Sequence, residues 1–539
     1  MEEELKENNV EPVLDNNPKK RKTGLLIALL CAVLAIIVIL LLFVLPGKKE
    51  EKDTITSKSE TKSEYKMTGN SIEKFDLFFL KLENKEENKI YSPLSIKYAL
   101  EMLSEGAQGE TKAQLDAVIG DYKAKKYDNN NNMSFANAMF IRDTFADNVK
   151  DEFKNLLSEK YGAEIITDSF ESTNTINNWI SSKTFNLIND LVKDVNNKDF
   201  FIVNALGIDM KWNNLIHCAT QQDQNVPCLV QTYEVLYSHE KLQGEENEFY
   251  RIEYPYAGEE SFPSLKFNGK DNIKSARVLA SFNRYDLVKT VGEEKVKEEV
   301  KKAYEAWLKT DEAKYFDVED ANKVAERFVK EINENYGKAL SSTDFLIYVD
   351  DNVKAFAKDL QTSNGTTLQY VGIMPTKVTL KEYVEKVSVD DLNNVINNLK
   401  DMKIENFKDG YVTIIEGQIP MFKYEYELSL MEDLKKLGIV DVFDNTKADL
   451  SSMLKESEGI AIVEAKHKAT IEFSNEGIKA AAATEEGGLG NAWGGFNYLF
   501  EVPTVMIDIT FDNPYLYLIR DKNSGEIWFI GTVYEPITK

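Results

Sequence analysis

Glu476-Gly477-Ile478-Lys479-Ala480-Ala481-Ala482-Ala483-Thr484, running into a glycine-rich segment over residues 485–495, is the stretch on which the fold turns. A glycine trailed by four alanines asks for a physical reason. Alanine loses almost no side-chain entropy on ordering and fits where nothing larger can. It is also the best helix former, so a short exposed helix is one reading. A segment that slides between closely packed strands is the other. The flanks decide for the second. Upstream, residues 462–473 alternate: Val463, Ala465, His467, Ala469, Ile471 and Phe473 share one face, and Glu464, Lys466, Lys468 and Glu472 the other. Downstream, residues 511–536 read as strands. His467 is placed on the buried face, as a hydrogen-bonded core group and not as a catalyst.

The chain of 539 residues carries a formal net charge of −25, which argues against nucleic acid and anionic membrane surfaces as partners. Residues 25–45 are 21 apolar residues without a charge, long enough to span a bilayer as a helix. Lys19, Lys20, Arg21 and Lys22 precede them, while the lysines that follow are interleaved with acids. That bias predicts a single-pass plasma-membrane protein: residues 1–23 a cytoplasmic tail, 24–45 an uncleaved signal-anchor, 46–69 a flexible stalk, and 70–539 an extracytoplasmic domain. Of the exported residues only Cys218 and Cys228 are cysteines, a candidate disulfide outside the cell. Their neighbours His217 and His239 stand at spacings that match no common zinc finger, so no metal site is expected. No G-x-S-x-G, H-E-x-x-H, phosphate-loop or dinucleotide motif occurs, and no cofactor is expected.

Along the exported part, Ile72, Phe75, Phe79 and Leu82 recur at helical spacing. Ser92 is an N-cap with Pro93 at the first helical position, opening a helix that runs to about Gly106. Gly109-Glu110-Thr111 restarts a helix. Residues 129–132 are a polar loop before a strand over 135–141. Ile176-Asn177-Asn178-Trp179 opens a helix expected to carry Phe185, Ile188 and Leu191. Residues 201–212 read as a buried strand in which Asn204, the polar member of one face, must be hydrogen-bonded internally. Val296, Val300, Tyr304 and Trp307 mark one helical face, and Val324, Phe328 and Ile332 another.

The ordered set Tyr91-Ser92-Pro93-Leu94-Ser95, Gly106-Ala107, Thr111, Asn137-Ala138, Ile176-Asn177-Asn178-Trp179, Thr184 and Asn204-Ala205 up to Trp212 resembles the serpin family. So do Gln418-Ile419-Pro420-Met421-Phe422, Leu434-Lys435-Lys436-Leu437-Gly438-Ile439, Ala448-Asp449-Leu450, His467-Lys468-Ala469, the hinge from Gly477 to Thr484, Phe511-Asp512-Asn513-Pro514-Tyr515 and Phe529-Ile530-Gly531 with Pro536. The resemblance covers roughly residues 70–215 and 345–539; residues 213–344 fit it poorly and look like an inserted helical hairpin on the body. It implies an α+β fold of three β-sheets, about eight to nine helices and an exposed reactive-centre loop.

It also implies a mechanism without catalysis by this chain. A serine or cysteine protease cuts the loop and forms an acyl-enzyme. The hinge (Glu476, Gly477, Ile478, Ala480, Ala481, Ala482, Ala483, Thr484) then inserts into the main sheet as a new strand and traps the protease. Ser92, Ser95, Asn204 and His467 would form a hydrogen-bonded shutter beneath that sheet. Ile478 departs from the usual threonine or serine, and Glu486 would point inward if alternation continued. The family's register puts the reactive bond at Asn491-Ala492; in this lengthened loop Trp493, Phe496, Tyr498 and Leu499 are alternatives. The expected partner is the target protease, bound covalently by a monomer. The rival readings are a non-inhibitory surface binding or adhesion module and a plain protease substrate.

Overall fold

The computed structural model describes residues 64–213, 228–231, 249–251, 265–281, 292–336, 345–401, 406, 412–478 and 501–537. The chain divides into two units, 1–59 and 60–539, and every described residue belongs to the second. The expected tail, the 24–45 anchor and most of the stalk lie outside the described residues. Among the described residues no helix is long and apolar enough to cross a membrane.

The body begins earlier than the expected Asn70. Met67 is fully buried and its N–H donates to Val118 O at 3.1 Å. The Glu73 carboxylate accepts from the N–H groups of Thr68 and Gly69. One methionine among polar residues leaves no periodic signal, which is why this anchoring is silent in the sequence. Helix Lys74–Leu82 follows and buries Phe75, Leu77, Phe79 and Leu80. Helix Pro93–Gly106 starts as its residues dictate: the Ser92 side chain accepts from Ser95 N–H and Pro93 occupies the first turn. Helix Gly109–Ile119 comes next. Among the described residues there are ten α-helices.

Two large sheets hold most of the strands. One is antiparallel and seven-stranded, in the order Lys89–Tyr91, Ile527–Val533, Tyr515–Asp521, Leu368–Pro375, Val353–Asp359, Phe345–Val349, Lys400–Asp401. The other is mixed and five-stranded: Cys228–Gln231, Ser275–Ser281, Val412–Pro420, Glu501–Asp508, Phe249–Arg251. The third sheet comes in two parts. Glu164–Asp168, Met133–Arg142 and Phe200–Ile208 form one part; Phe422–Ser429, Lys466–Phe473, Gly477–Ile478 and Met210–Lys211 form the other. The parts are halves of one layer. Phe200–Ile208 and Met210–Lys211 are successive pieces of one strand, interrupted at Asp209, whose N–H donates to Asn132 O. An aromatic stack joins this layer to the seven-stranded sheet: Phe422 on Phe473 at 5.4 Å, Phe473 against Tyr370 at 4.8 Å, and Tyr370 on Tyr517 at 5.4 Å.

Three expectations change. The helix opened by Ile176 spans Asn174–Lys183 and ends before Phe185. The Thr184 hydroxyl donates to Ile180 O and accepts from Ile188 N–H, and Phe185 and Asn186 turn left-handed, at φ of 51° and 59°. The upstream strand begins at Lys466, so Val463 lies outside it and is exposed. Lys468 is buried, because residues 187–190 cover its face: its ammonium pairs with Asp190 and Glu425.

Candidate functional site

The described start of the expected hinge, Glu476–Ile478, is held against the sheet. After Phe473 the chain turns through residues 474–476, and Gly477–Ile478 comes back antiparallel between that strand and Met210–Lys211. Ser474 N–H donates to Gly477 O at 3.0 Å, and Trp212 N–H to Glu476 O at 3.0 Å. The fully buried Trp212 indole adds a bond to Ser474 O at 3.0 Å and stands edge-on to Phe473 at 5.5 Å. Gly477 is needed for a reason beyond flexibility. A Cβ there would lie 2.2 Å from Met210 O and 2.7 Å from Lys211 Cα, so only glycine allows the approach. Ile478, the departure from the family pattern, is 2% exposed and opposes Phe473, so its bulk is accommodated. Ala480, Ala481, Ala482, Ala483, Thr484, Asn491 and Ala492 lie outside the described residues. Gly477→Ala is expected to dislodge the two-residue strand and to speed tryptic cleavage after Lys479 severalfold. An unchanged digestion time course would show that close packing does not hold the hinge.

Below the hinge, no ladder joins Phe200–Ile208 to Lys466–Phe473 among the described residues: the first pairs with Met133–Arg142, the second with Phe422–Ser429 and, at its end, with Ile478. Between them lies a cavity of about 360 Å³ whose lining includes Ser95, Asn204 and His467. Ser92 N–H donates to His467 Nε2 at 2.9 Å. Asn204 does not reach the histidine. Its Nδ2 donates across the sheet to Asn137 Oδ1 at 2.8 Å, and Asn137 Nδ2 donates to Tyr161 O at 2.9 Å. Asn204 Oδ1 is buried with no hydrogen-bond partner among the described residues. Among the described residues the four expected as one network are therefore split: Ser92, Ser95 and His467 are linked, and Asn204 pairs with Asn137 instead. Asn137 and Trp212 are part of the family resemblance but carried no expected role at the site. Asn137 carried the same signal as Asn204, a lone amide in an apolar strand.

Because Nε2 accepts from Ser92, the neutral imidazole carries its hydrogen on Nδ1. Burial lowers the His467 pKa from the usual 6.5 to about 4. The unfolded chain therefore takes up this proton at higher pH than the folded chain. The stability contribution is complete above pH 6.5 and is lost as pH falls through 4. His467→Gln should flatten that part of the urea-midpoint profile. Parallel profiles for parent and variant between these pH values would remove His467 as the titrating group.

A family model described as serpin (serine protease inhibitor) matches residues 74–266 and 342–536. The chain belongs to the serpin family. Among relatives of this serpin is an uncharacterized serpin-like protein of Methanosarcina mazei, 23% identical over 90% of this chain and 92% of its own. Neuroserpin of Mus musculus is 22% identical over 84% of this chain and 87% of its own. The fold matches the native state of the thermophilic serpin tengpin at a TM-score of 0.52, with 19% identity over 87% of this chain and 96% of that one. Serpins are generally protease inhibitors and not enzymes. The family match leaves residues 267–341 of this serpin uncovered, a narrower stretch than the expected 213–344. Strand Ser275–Ser281 within it pairs with Val412–Pro420 and so belongs to the body. Cys228 opens a strand, while Cys218 lies outside the described residues.

Proposed function

We propose that this serpin is a membrane-anchored, extracytoplasmic suicide inhibitor of a serine or cysteine protease. The observation that supports the reading is the placement of Gly477 and Ile478. Gly477–Ile478 occupies the beginning of a strand position, antiparallel to both neighbours, and points the chain toward the cavity between Asn204 and His467. The next residues in sequence are Lys479 and four alanines, which can continue such a strand without steric cost. The unpartnered Asn204 Oδ1 in the cavity wall is an acceptor that an incoming N–H would satisfy. In this reading the protease nucleophile attacks the carbonyl of the loop's reactive bond, at Asn491-Ala492 in the family's register. Insertion then carries the acyl-enzyme away before water can release it. Residues 24–45 hold the monomer in the plasma membrane with its N-terminus in the cytoplasm.

The test is incubation of the full detergent-solubilised chain with a panel of serine and cysteine proteases. The expected result is a band at the summed mass that survives boiling in SDS. Cleavage without such a band, and without a gain in heat resistance, would leave a plain substrate or a non-inhibitory surface module. Proteolytic shaving of intact cells should release the domain beyond the anchor.

A further inference from the structure

The helices Glu293–Trp307 and Ala321–Tyr336 form a hairpin with a small core of its own: Val296, Val300, Tyr304, Val324, Ala325 and Val329 are buried, and none belongs to the main hydrophobic core. Strand Ser275–Ser281 leads into this stretch and strand Phe345–Val349 leads out of it. The register fixes where both ends lie. Ser281 pairs with Ile414, and Ile414 with Met506. Since Ser275–Ser281 runs antiparallel to Val412–Pro420, and that strand parallel to Glu501–Asp508, the chain leaves the sheet at the end where the reactive loop rejoins it, before Glu501. At the other end, Phe345 pairs with Lys358. The residues just beyond Lys358 belong to the hinge's own surroundings: Asp359 O accepts from Asn213 N–H, and Gln361 N–H donates to Lys211 O, the residue paired with Gly477. The segment that carries the hairpin therefore leaves the body beside one end of the loop and rejoins it beside the other.

Its tip is the second observation. Tyr315 is 85%, Phe316 39% and Val318 61% exposed. The other exposed large hydrophobics among the described residues, such as Val349, Val378 and Val440, are single and scattered. Trp307 backs the tip, 5.9 Å from Phe316 and stacked on Tyr304 at 5.5 Å. Exposed Glu312 and Asp317 flank it. Three large apolar side chains exposed within four residues call for a partner, and the acidic residues around them, with Lys314 already paired to Asp311, disfavour an anionic membrane surface as that partner.

We infer that the tip formed by Tyr315, Phe316 and Val318 is a docking surface for the protease held at the reactive loop, received by an apolar patch with a basic rim outside the protease's catalytic cleft. Each helix, of 15 and 16 residues, is about 22–24 Å long, so the tip stands clear of its roots by a distance comparable to the radius of a small protease domain. The inference rests on the inhibitor reading. It assigns selectivity to a surface that the cut bond does not see, so a loop with no strong cleavage signature can still choose its target.

The experiment uses the full chain, a protease with which it forms the SDS-stable complex, and the variant Tyr315→Ser, Phe316→Ser, Val318→Ser. The second-order rate of complex formation should fall roughly tenfold or more, as for loss of an aromatic hot spot, while stoichiometry and thermal transition stay at the parental values. Tyr315→Phe with Phe316→Tyr should restore most of the rate. An unchanged rate with a normal complex overturns this inference alone. A fall in rate matched by a fall in thermal transition makes the tip a folding element and also overturns it. Absence of any complex with the parental chain overturns the inhibitor reading and this one together.

Discussion

Lys97→Met is expected to destabilise the protein by about 3–5 kcal/mol, enough to unfold many domains outright. Lys97 lies on helix Pro93–Gly106 and is wholly buried, its ammonium 2.8 Å from Asp76 and 2.9 Å from Glu73. The Phe75 and Tyr122 rings face it at 5.9 and 5.8 Å. Methionine fills similar volume, so the loss is electrostatic: two buried carboxylates are left without their cation. Burial already raises Asp76 from 3.8 to about 6 even with Lys97 beside it. Burial pushes Glu73 upward as well, yet Lys97 and Thr68 hold it below its usual value. The sign of the pH effect follows. A carboxyl whose folded pKa is raised binds its proton more tightly when folded, so Asp76 contributes stability at low pH that is lost as pH rises through about 6. In the variant that loss deepens, so part of the stability should return on acidification below that value. Urea midpoints of both proteins at pH 5 and pH 7.5 check this. A variant whose midpoint matches the parent's at both pH values would show that the cluster is not held by Lys97.

If the protein acts as the proposed inhibitor, Ala482→Glu should convert it to a substrate. Ile478 is buried, and a strand continued from it places 480, 482 and 484 on the same inward face. A carboxylate carried there enters a layer backed by helix Pro93–Gly106 and the aromatic stack, at a desolvation cost of several kcal/mol. Insertion then lags behind hydrolysis of the acyl-enzyme. Loop cleavage should persist, the SDS-stable band should fall by on the order of tenfold or more, and the gain in heat resistance on cleavage should shrink. Ala481→Glu, on the outer face, is the control that retains inhibition. Equal complex yields from the parent and both variants would mean that the alanine run does not enter the sheet.

The fold was legible wherever local chemistry and burial agree. Ser92 and Pro93 start their helix where capping rules place them, and the alternation through Ile471 and Phe473 is the strand found. Legibility failed where a distant segment decides. Lys468 reads as solvent-facing and is buried because residues 187–190 cross over it. Phe185 and Asn186 continue a helical pattern, but the Thr184 hydroxyl closes the turn ahead of them. Met67 sits in a polar run and is pinned by backbone bonds to Val118 and Asp121. At the candidate site, the resemblance to the family, and not residue types alone, brought Ser92, Ser95, Asn204 and His467 into one expected neighbourhood. Pairing did not follow, because an amide's choice between Asn137 and His467 depends on how far two strands stand apart.

That separation bears on kinetics. A new strand growing into a sheet faces its steepest barrier at the first rung, where chain freedom is lost before a ladder exists to repay it. Here Gly477 and Ile478 have laid that rung in the uncut molecule, with Trp212 tying the turn above it. Insertion after cleavage would then be elongation from a standing nucleus, one residue at a time, and its speed would be set by how readily the walls at Asn204 and His467 move apart to admit the next alanine.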